Sequence, residues 1–439
     1  MTSTESAPRT TDPIEELRDW LTDNWDPDLS VAEWWERLGL AGWAAPILPV
    51  DCYGRGLSRG DANRVGQTIA EFGALGAPFG MGTGLASPTI ATHGTREQID
   101  RFVPDAVTGK RAWCQLFSEP GAGSDLAGLS ARAVRDGDVW IVNGQKVWTS
   151  GGQLADLGML LARTDPAVPK HQGITWFAFD MHQPGVEVRP LREMTGNAMF
   201  NEVFFTDAVV RDDARIGDLN NGWTVANTTL FYERSGMGAR GGAALVVGAR
   251  AGTVAGDLNK RAGEFVRKPS AAPSAAPAKT RTSPAATYIA LAREFDKEAD
   301  PVIRQGLAQA HILGELTRMN AERHMAIRGT GGDIPGFPNF SKLLTAHILR
   351  HNRDLGAQIL GPRATLHAYD AEGRATLVDA PGGSAAHTVT AQVLAAQGLP
   401  IFGGTDQIQR NIIGERALGL PREPGNLSRV PFNELPTNG

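Results

Sequence analysis

The chain has two cysteines, four tyrosines and no long apolar run in its 439 residues. Cys52 and Cys114 form no CxxC pair, which argues against a disulfide framework or a zinc site and fits a reducing, cytoplasmic setting. A membrane span needs about 18 or more consecutive apolar residues, and none is present. The opening, MTSTESAPRTTDPIEEL, lacks the apolar centre of a secretion signal. Charge of neither sign dominates: the net value is −5 and the basic residues are scattered, which excludes a nucleic-acid surface.

What is present reads as helices, then strands, then helices. The length exceeds one ordinary core, so two or three domains are expected. Residues 1–111 carry helix-start signals. Asp12-Pro13-Ile14-Glu15 offers a cap, a proline at the first helical position and a capping-box glutamate. Ser30 with Glu33 repeats the box, and Ser58/Asp61 and Thr95/Gln98 are looser versions. Residues 112–220 hold short runs rich in β-branched and aromatic residues, such as VWIVNG, MLLART and ITWFAFDM, as in a small antiparallel β domain. Helical periodicity returns over 221–439. A Pro/Ala-rich stretch at 268–287 interrupts it and reads as a flexible excursion.

Two motifs stand out. Cys114–Asp125, CQLFSEPGAGSD, is a turn of small residues with backbone N–H groups and hydroxyls suited to a phosphate or a polar ring edge. Val142–Gly152, VNGQKVWTSGG, sets an indole beside a hydroxyl, suited to packing on a flat cofactor. Gly-Ser turns commonly do nothing but turn, so each motif alone says little. Gly236-Met237-Gly238-Ala239-Arg240-Gly241 fits GxGxxG by letter but sits on a helical pattern, so close helix packing is the better reading. His347 and His351 stand four apart on another helical pattern without a third ligand, and no metal is expected there.

Taken together, SEPGAGSD and NGQKVWTS resemble the acyl-CoA dehydrogenase family. The resemblance extends to Gly94–Gln98, Asp300–Gln305, Ser341–Leu344 and Gly403–Pro424, the last most like the branch common in actinobacteria. It implies an α+β fold: an N-terminal helical domain, a middle β-barrel domain and a C-terminal four-helix bundle. It also implies FAD, with Phe117, Ser118, Trp148 and Ser150 lining the flavin on the β-domain side. By the same resemblance, Thr405 and Gln407 reach the adenosine and phosphate side, and Ser124 contacts the pantetheine of CoA. The implied reaction moves an α-proton to a carboxylate and a β-hydride to the flavin.

Many members carry that carboxylate in a Tyr-Glu-Gly-Thr motif. Here the run is Phe402-Gly403-Gly404-Thr405: the carboxylate is gone, while Gly403 keeps the N–H that in the family holds the thioester carbonyl. A second base position lies before an arginine on the first bundle helix, as in isovaleryl-CoA and long-chain acyl-CoA dehydrogenases. Leu230-Phe231-Tyr232-Glu233-Arg234 matches it, so the resemblance implies Glu233 as base and Arg234 as its neighbour. A glutamate on a helix, judged alone, is more often a paired surface residue. The Arg-x-x-Phe stretch that clamps the FAD pyrophosphate in many members has no convincing match; Ala292-Arg293-Glu294-Phe295 stands nearest. The expected substrate is an acyl-CoA, the expected oxidant an electron-transferring flavoprotein, and the expected assembly a homo-oligomer or a heteromer with a related subunit. Two alternatives stay open: a flavin oxidase or monooxygenase of the same fold, and a non-catalytic or half-site subunit of a heteromeric enzyme.

Overall fold

In the computed structural model, residues 12–240, 254–266, 284–330, 332–421 and 427–436 are described. The chain forms two compact units. The first comprises 1–191, 199–272 and 427–439, and the second 192–198 and 273–426.

The first unit opens with helices α1 (Pro13–Asn24), α2 (Val31–Leu40), α3 (Arg59–Phe72), α4 (Ser87–His93) and α5 (Arg96–Val107). Their starts follow the capping logic, with two changes: Thr95/Gln98 is a full box and not a looser version, and Asp12 caps α1 without one. Ser30/Glu33 and Thr95/Gln98 are both full capping boxes. At α1, Asp12 caps the N–H of Ile14 and pairs with Arg64, and no reciprocal bond from Glu15 accompanies it. Arg64 draws the cap outward, and the proline at the first position already orders that turn.

Helices α1–α3 bury Leu17, Leu21, Trp34, Trp35, Leu38, Val65 and Ile69 in a core of their own. A distant segment closes it. Ala262 is fully buried there, with Val254, Leu258, Phe265 and Val266 packed alongside. Backbone bonds from Val31 to Lys260, Ala32 to Leu258 and Ala262 to Leu29 stitch this strap down.

The sheet has eight strands: β1 (Trp113–Leu116), β2 (Arg132–Asp136), β3 (Val139–Lys146), β4 (Leu157–Arg163), β5 (Ile174–Asp180), β6 (Val186–Leu191), β7 (Phe200–Arg211) and β8 (Arg215–Ile216). Hydrogen bonding runs β6-β7-β3-β2-β4-β5-β8, with β1 beside β4. The sheet is mixed rather than wholly antiparallel, because β1 enters from α5 and runs parallel to β4. Strand β4 is buried at every residue and β5 at all but its last, which accounts for their largely apolar runs Leu157–Ala162 and Trp176–Phe179. Strands β3 and β7 alternate over much of their length instead. Gln98 ties α5 to the sheet by donating to the carbonyls of Asp213 and Arg215.

Helix α6 (Gly222–Arg240) packs on α4 within this unit: Thr89 meets Thr229 at 3.0 Å, and His93 meets Thr228 at 2.7 Å. The glycine-rich run from Gly236 to Arg240 continues this helix; Gly241 lies outside the described residues. The C-terminal segment returns to the sheet, with Phe432 under the Arg163 guanidinium at 3.9 Å.

The second unit holds α7 (Pro284–Glu294), α8 (Pro301–Gly329), α9 (Phe337–Leu360), α10 (Ala371–Asp379), α11 (Gly383–Ala395) and α12 (Asp406–Ile412). Tyr288, Leu291, Ile303, Leu355, Ile359 and Val389 form its core. Of the Pro/Ala-rich stretch, residues 268–283 lie outside the described residues. Its last four residues are helical, not an excursion: Pro284 starts α7, where a preset φ and a missing N–H cost nothing. On α9, His351 pairs with the carbonyl of Gly306 at 2.9 Å. No helix among the described residues is long and apolar enough to cross a membrane.

Candidate active site

Strand β1 delivers Gln115 and then the turn Phe117-Ser118-Glu119. Strand β3 delivers Lys146 and then Val147-Trp148-Thr149-Ser150. A bulge between Val142 and Gly144 re-aims β3 just before this point. Gly144, at φ +145, lies where an added Cβ would come within 2.7 Å of Ala131, so a side chain there would block the approach. The two turns are joined directly: the Val147 N–H donates to the Ser118 carbonyl at 2.9 Å.

Phe117 is buried and Ser118 half-buried. Among the described residues, the Ser118 N–H has no acceptor. Trp148 has φ +62, a conformation costly for a bulky residue, and its indole is 57% exposed. The edge of Phe200 supports that ring at 5.7 Å. Both neighbours of Trp148 are pinned, since Val147 bonds Ser118 and Thr149 exchanges two backbone bonds with Asn201. Ser150 borders a cleft of about 130 Å³, with Thr83, Trp113, Leu154 and Asp156 on its walls. Ser124 is exposed at the tip of its turn, beside Asp125, which pairs with Lys170 at 2.7 Å.

Glu233 lies on α6, half-buried, and its Oε2 accepts a 3.1 Å bond from the Gln115 amide. The residue matched as base is therefore tied to the strand that feeds the Phe117-Ser118 turn. Arg234 follows on the same helix; its side chain is not among those described.

Gly403, Thr405 and Gln407 belong to the second unit. Gly403 and Gly404 have φ +64 and +85, and the Gln409 amide donates to both of their carbonyls, at 2.8 and 3.2 Å. Thr405 caps α12 through the N–H of Ile408, and Gln407 is exposed. Gly403→Ala is expected to lower this unit's stability by about 1–2 kcal/mol, the penalty for a left-handed side-chain residue, seen as an earlier urea midpoint. Asp406 is buried beside Arg350 (2.8 Å) and Lys342 (3.5 Å). Burial pushes its carboxyl up, but the two cations outweigh this and hold it below the ordinary 3.8. Its contribution to stability is present above that value and fades as pH falls. Asp406→Asn is therefore expected to flatten the acid limb of the helical circular-dichroism signal.

Gln115, Glu119, Lys146 and Gln409 carry these arrangements and were not singled out from sequence. The first three lie inside the two quoted motifs, yet nothing local marks them as partners. Their contacts span 118 residues for Gln115–Glu233 and 27 for Lys146–Glu119.

The sequence model of the acyl-CoA dehydrogenase N-terminal domain matches residues 14–110, that of the middle domain 114–208 and that of the C-terminal domain 264–418. Acyl-CoA dehydrogenase IpdE1 of Mycobacterium tuberculosis is 33% identical over 431 residues, covering 93% of this chain and 97% of that protein. The chain belongs to the acyl-CoA dehydrogenase family. Acyl-CoA dehydrogenase FadE34 of the same organism is 36% identical over 87% of this chain, which spans only 45% of that relative's length. Among solved structures, the ChsE4-ChsE5 complex from M. tuberculosis matches at 26% identity and TM-score 0.60, covering 96% of this chain and 100% of that one. The Tcur3481-Tcur3483 steroid ACAD shares the fold at 24% identity and TM-score 0.64, over 94% and 97%.

Members of the acyl-CoA dehydrogenase family are flavoprotein oxidoreductases of lipid metabolism. The residues present fit a flat, polar-edged cofactor: an exposed Trp148 held in a costly conformation and, in the turn bonded to its own, a Ser118 N–H without an acceptor among the described residues.

Proposed function

We propose that this chain dehydrogenates an acyl-CoA thioester to the trans-2-enoyl-CoA, with Glu233 as the base. The observation that carries the reading is the Gln115–Glu233 bond, which aims the carboxylate from α6 at the strand leading into the Phe117-Ser118 turn. Phe117, Ser118, Trp148 and Ser150 would hold FAD on this side, with Thr405 and Gln407 as its contacts from the C-terminal motif. FAD, when bound, supplies the acceptor for the hydride that leaves Cβ. Glu233 takes the proton from Cα, and Gln115 orients its carboxylate through Oε2. Gly403 keeps the N–H that the family offers to the thioester carbonyl, Ser124 the hydroxyl for pantetheine, and Arg234 stands next to the base in sequence.

The test is anaerobic addition of an acyl-CoA panel to the full chain, following loss of the visible flavin band. Bleaching is the expected result; a yellow protein that no acyl-CoA bleaches would count against the reading. A helix-borne base favours branched, long or bulky acyl groups, and a preference for short straight chains would overturn that part. An electron-transferring flavoprotein is the proposed oxidant, and rapid oxygen consumption by the reduced protein would argue instead for an oxidase or monooxygenase.

Gln115→Leu is expected to slow bleaching about tenfold and to move the acid limb of the rate profile to higher pH. A donated hydrogen bond favours the carboxylate, so its loss makes the base easier to protonate. An unchanged profile would leave Gln115 with no role in orienting the base.

A second reading concerns assembly. The clamp stretch is weak here, and one relative, ChsE4-ChsE5, is a complex of two different chains. We therefore propose a heteromer with a related chain over a homo-oligomer. Chain purified alone would then be colourless and turn yellow only with its partner.

A further inference from the structure

We infer that the buried Lys146–Glu119 pair is a positioning device that sets the Phe117-Ser118 turn and the left-handed Trp148 before any cofactor binds. The inference rests on the flavin-site reading above.

Lys146 has no exposed side-chain surface, and its ammonium meets Glu119 Oε1 at 2.8 Å. The same ammonium donates to the Phe117 carbonyl at 3.0 Å. Glu119 in turn accepts from the N–H and hydroxyl of Ser130, at 2.7 and 2.8 Å, and from the N–H of Ala131 at 2.9 Å. One ion pair thus joins three backbone segments: the turn after β1, the entry to β2 and the end of β3.

The geometry at Phe117 gives this pair more than a packing role. A trans peptide sets its C=O and N–H on opposite sides. With the Phe117 carbonyl drawn inward to Lys146, the N–H of Ser118 is turned the other way, and that is the donor left without an acceptor among the described residues. Two residues past Lys146 stands Trp148, held left-handed by bonds on both flanks. The polar donor and the exposed indole are therefore fixed from behind by the same ammonium.

Arg163 supplies the comparison. It too is buried, and it donates to the carbonyls of Ala127, Leu129 and Lys170, none of them in the flavin-facing turns. Loss of Arg163 removes a buried cation without touching Phe117 or Trp148.

The experiment uses full-length chain, with its partner chain if it needs one, labelled with 5-fluorotryptophan. The Trp148 fluorine resonance is assigned by Trp148→Phe. In cofactor-free parent this line is expected to be single and narrow. In Lys146→Met/Glu119→Gln, which removes both charges of the pair together, it should broaden or split. FAD affinity should fall about tenfold or more, because the ring must then order the site itself. Arg163→Met should lower stability yet leave the Trp148 line narrow and FAD affinity near the parent's. A narrow, unshifted Trp148 line in the double variant would overturn the inference, as would equal broadening in Arg163→Met. Failure of the flavin-site reading appears separately, as a parent line that does not respond to FAD.

Discussion

Glu233→Gln is expected to give a yellow protein that acyl-CoA no longer bleaches, with the reductive rate down by about 10²–10⁴-fold, the range for loss of a positioned general base. Glutamine keeps the shape and the hydrogen-bonding capacity of the side chain, and its carbonyl can still accept from Gln115. Cofactor binding and folding should therefore survive, and only the capacity to take the α-proton is lost. Stopped-flow reduction under anaerobic conditions measures this. A variant that holds its flavin and bleaches at the parent rate would move the base to another carboxylate.

The largest stability effect is expected from Lys146→Met alone. It strands the Glu119 carboxylate inside the sheet, and breaking a buried pair from one side costs about 3–5 kcal/mol. Burial pulls the Lys146 ammonium below its ordinary value while Glu119 opposes that pull. For Glu119, burial pushes the carboxyl up, and Lys146 with the Ser130 and Ala131 N–H groups more than offsets this. Adding Glu119→Gln should recover part of the loss, so the two substitutions will not add. Intrinsic fluorescence is a clean probe, because all ten tryptophans lie in the first unit. A double variant whose unfolding free energy falls by the sum of the two single-variant losses would show that the two groups act independently.

How far the sequence spoke depended on the range of each interaction. Helix starts at Ser30, Ser58 and Thr95 were legible because a cap involves residues three apart. Strands β4 and β5 announced themselves by short runs of apolar, β-branched and aromatic residues. The motifs proposed to hold the flavin were found by resemblance, and the candidate base by one arginine beside one glutamate. The bond that holds that glutamate was not legible, since Gln115 and Glu233 stand 118 residues apart and are brought together only by the packing of α6 within the first unit. The left-handed Trp148 was equally hidden: no local propensity favours it, and the bonds that flank it, at Ser118 and Asn201, join segments distant in sequence.

The strap from Val254 to Val266 bears on how the protein is made. Arg261 and Asp28, which pair across it, stand 233 residues apart. At synthesis rates of about 5–20 residues per second, the first helices emerge roughly ten to fifty seconds before the segment that covers them. During that interval a cluster rich in tryptophan and leucine has no cover on one side. The ribosome thus releases this enzyme's first layer unfinished, and truncated chains that stop before the strap should be the ones that chaperones hold longest.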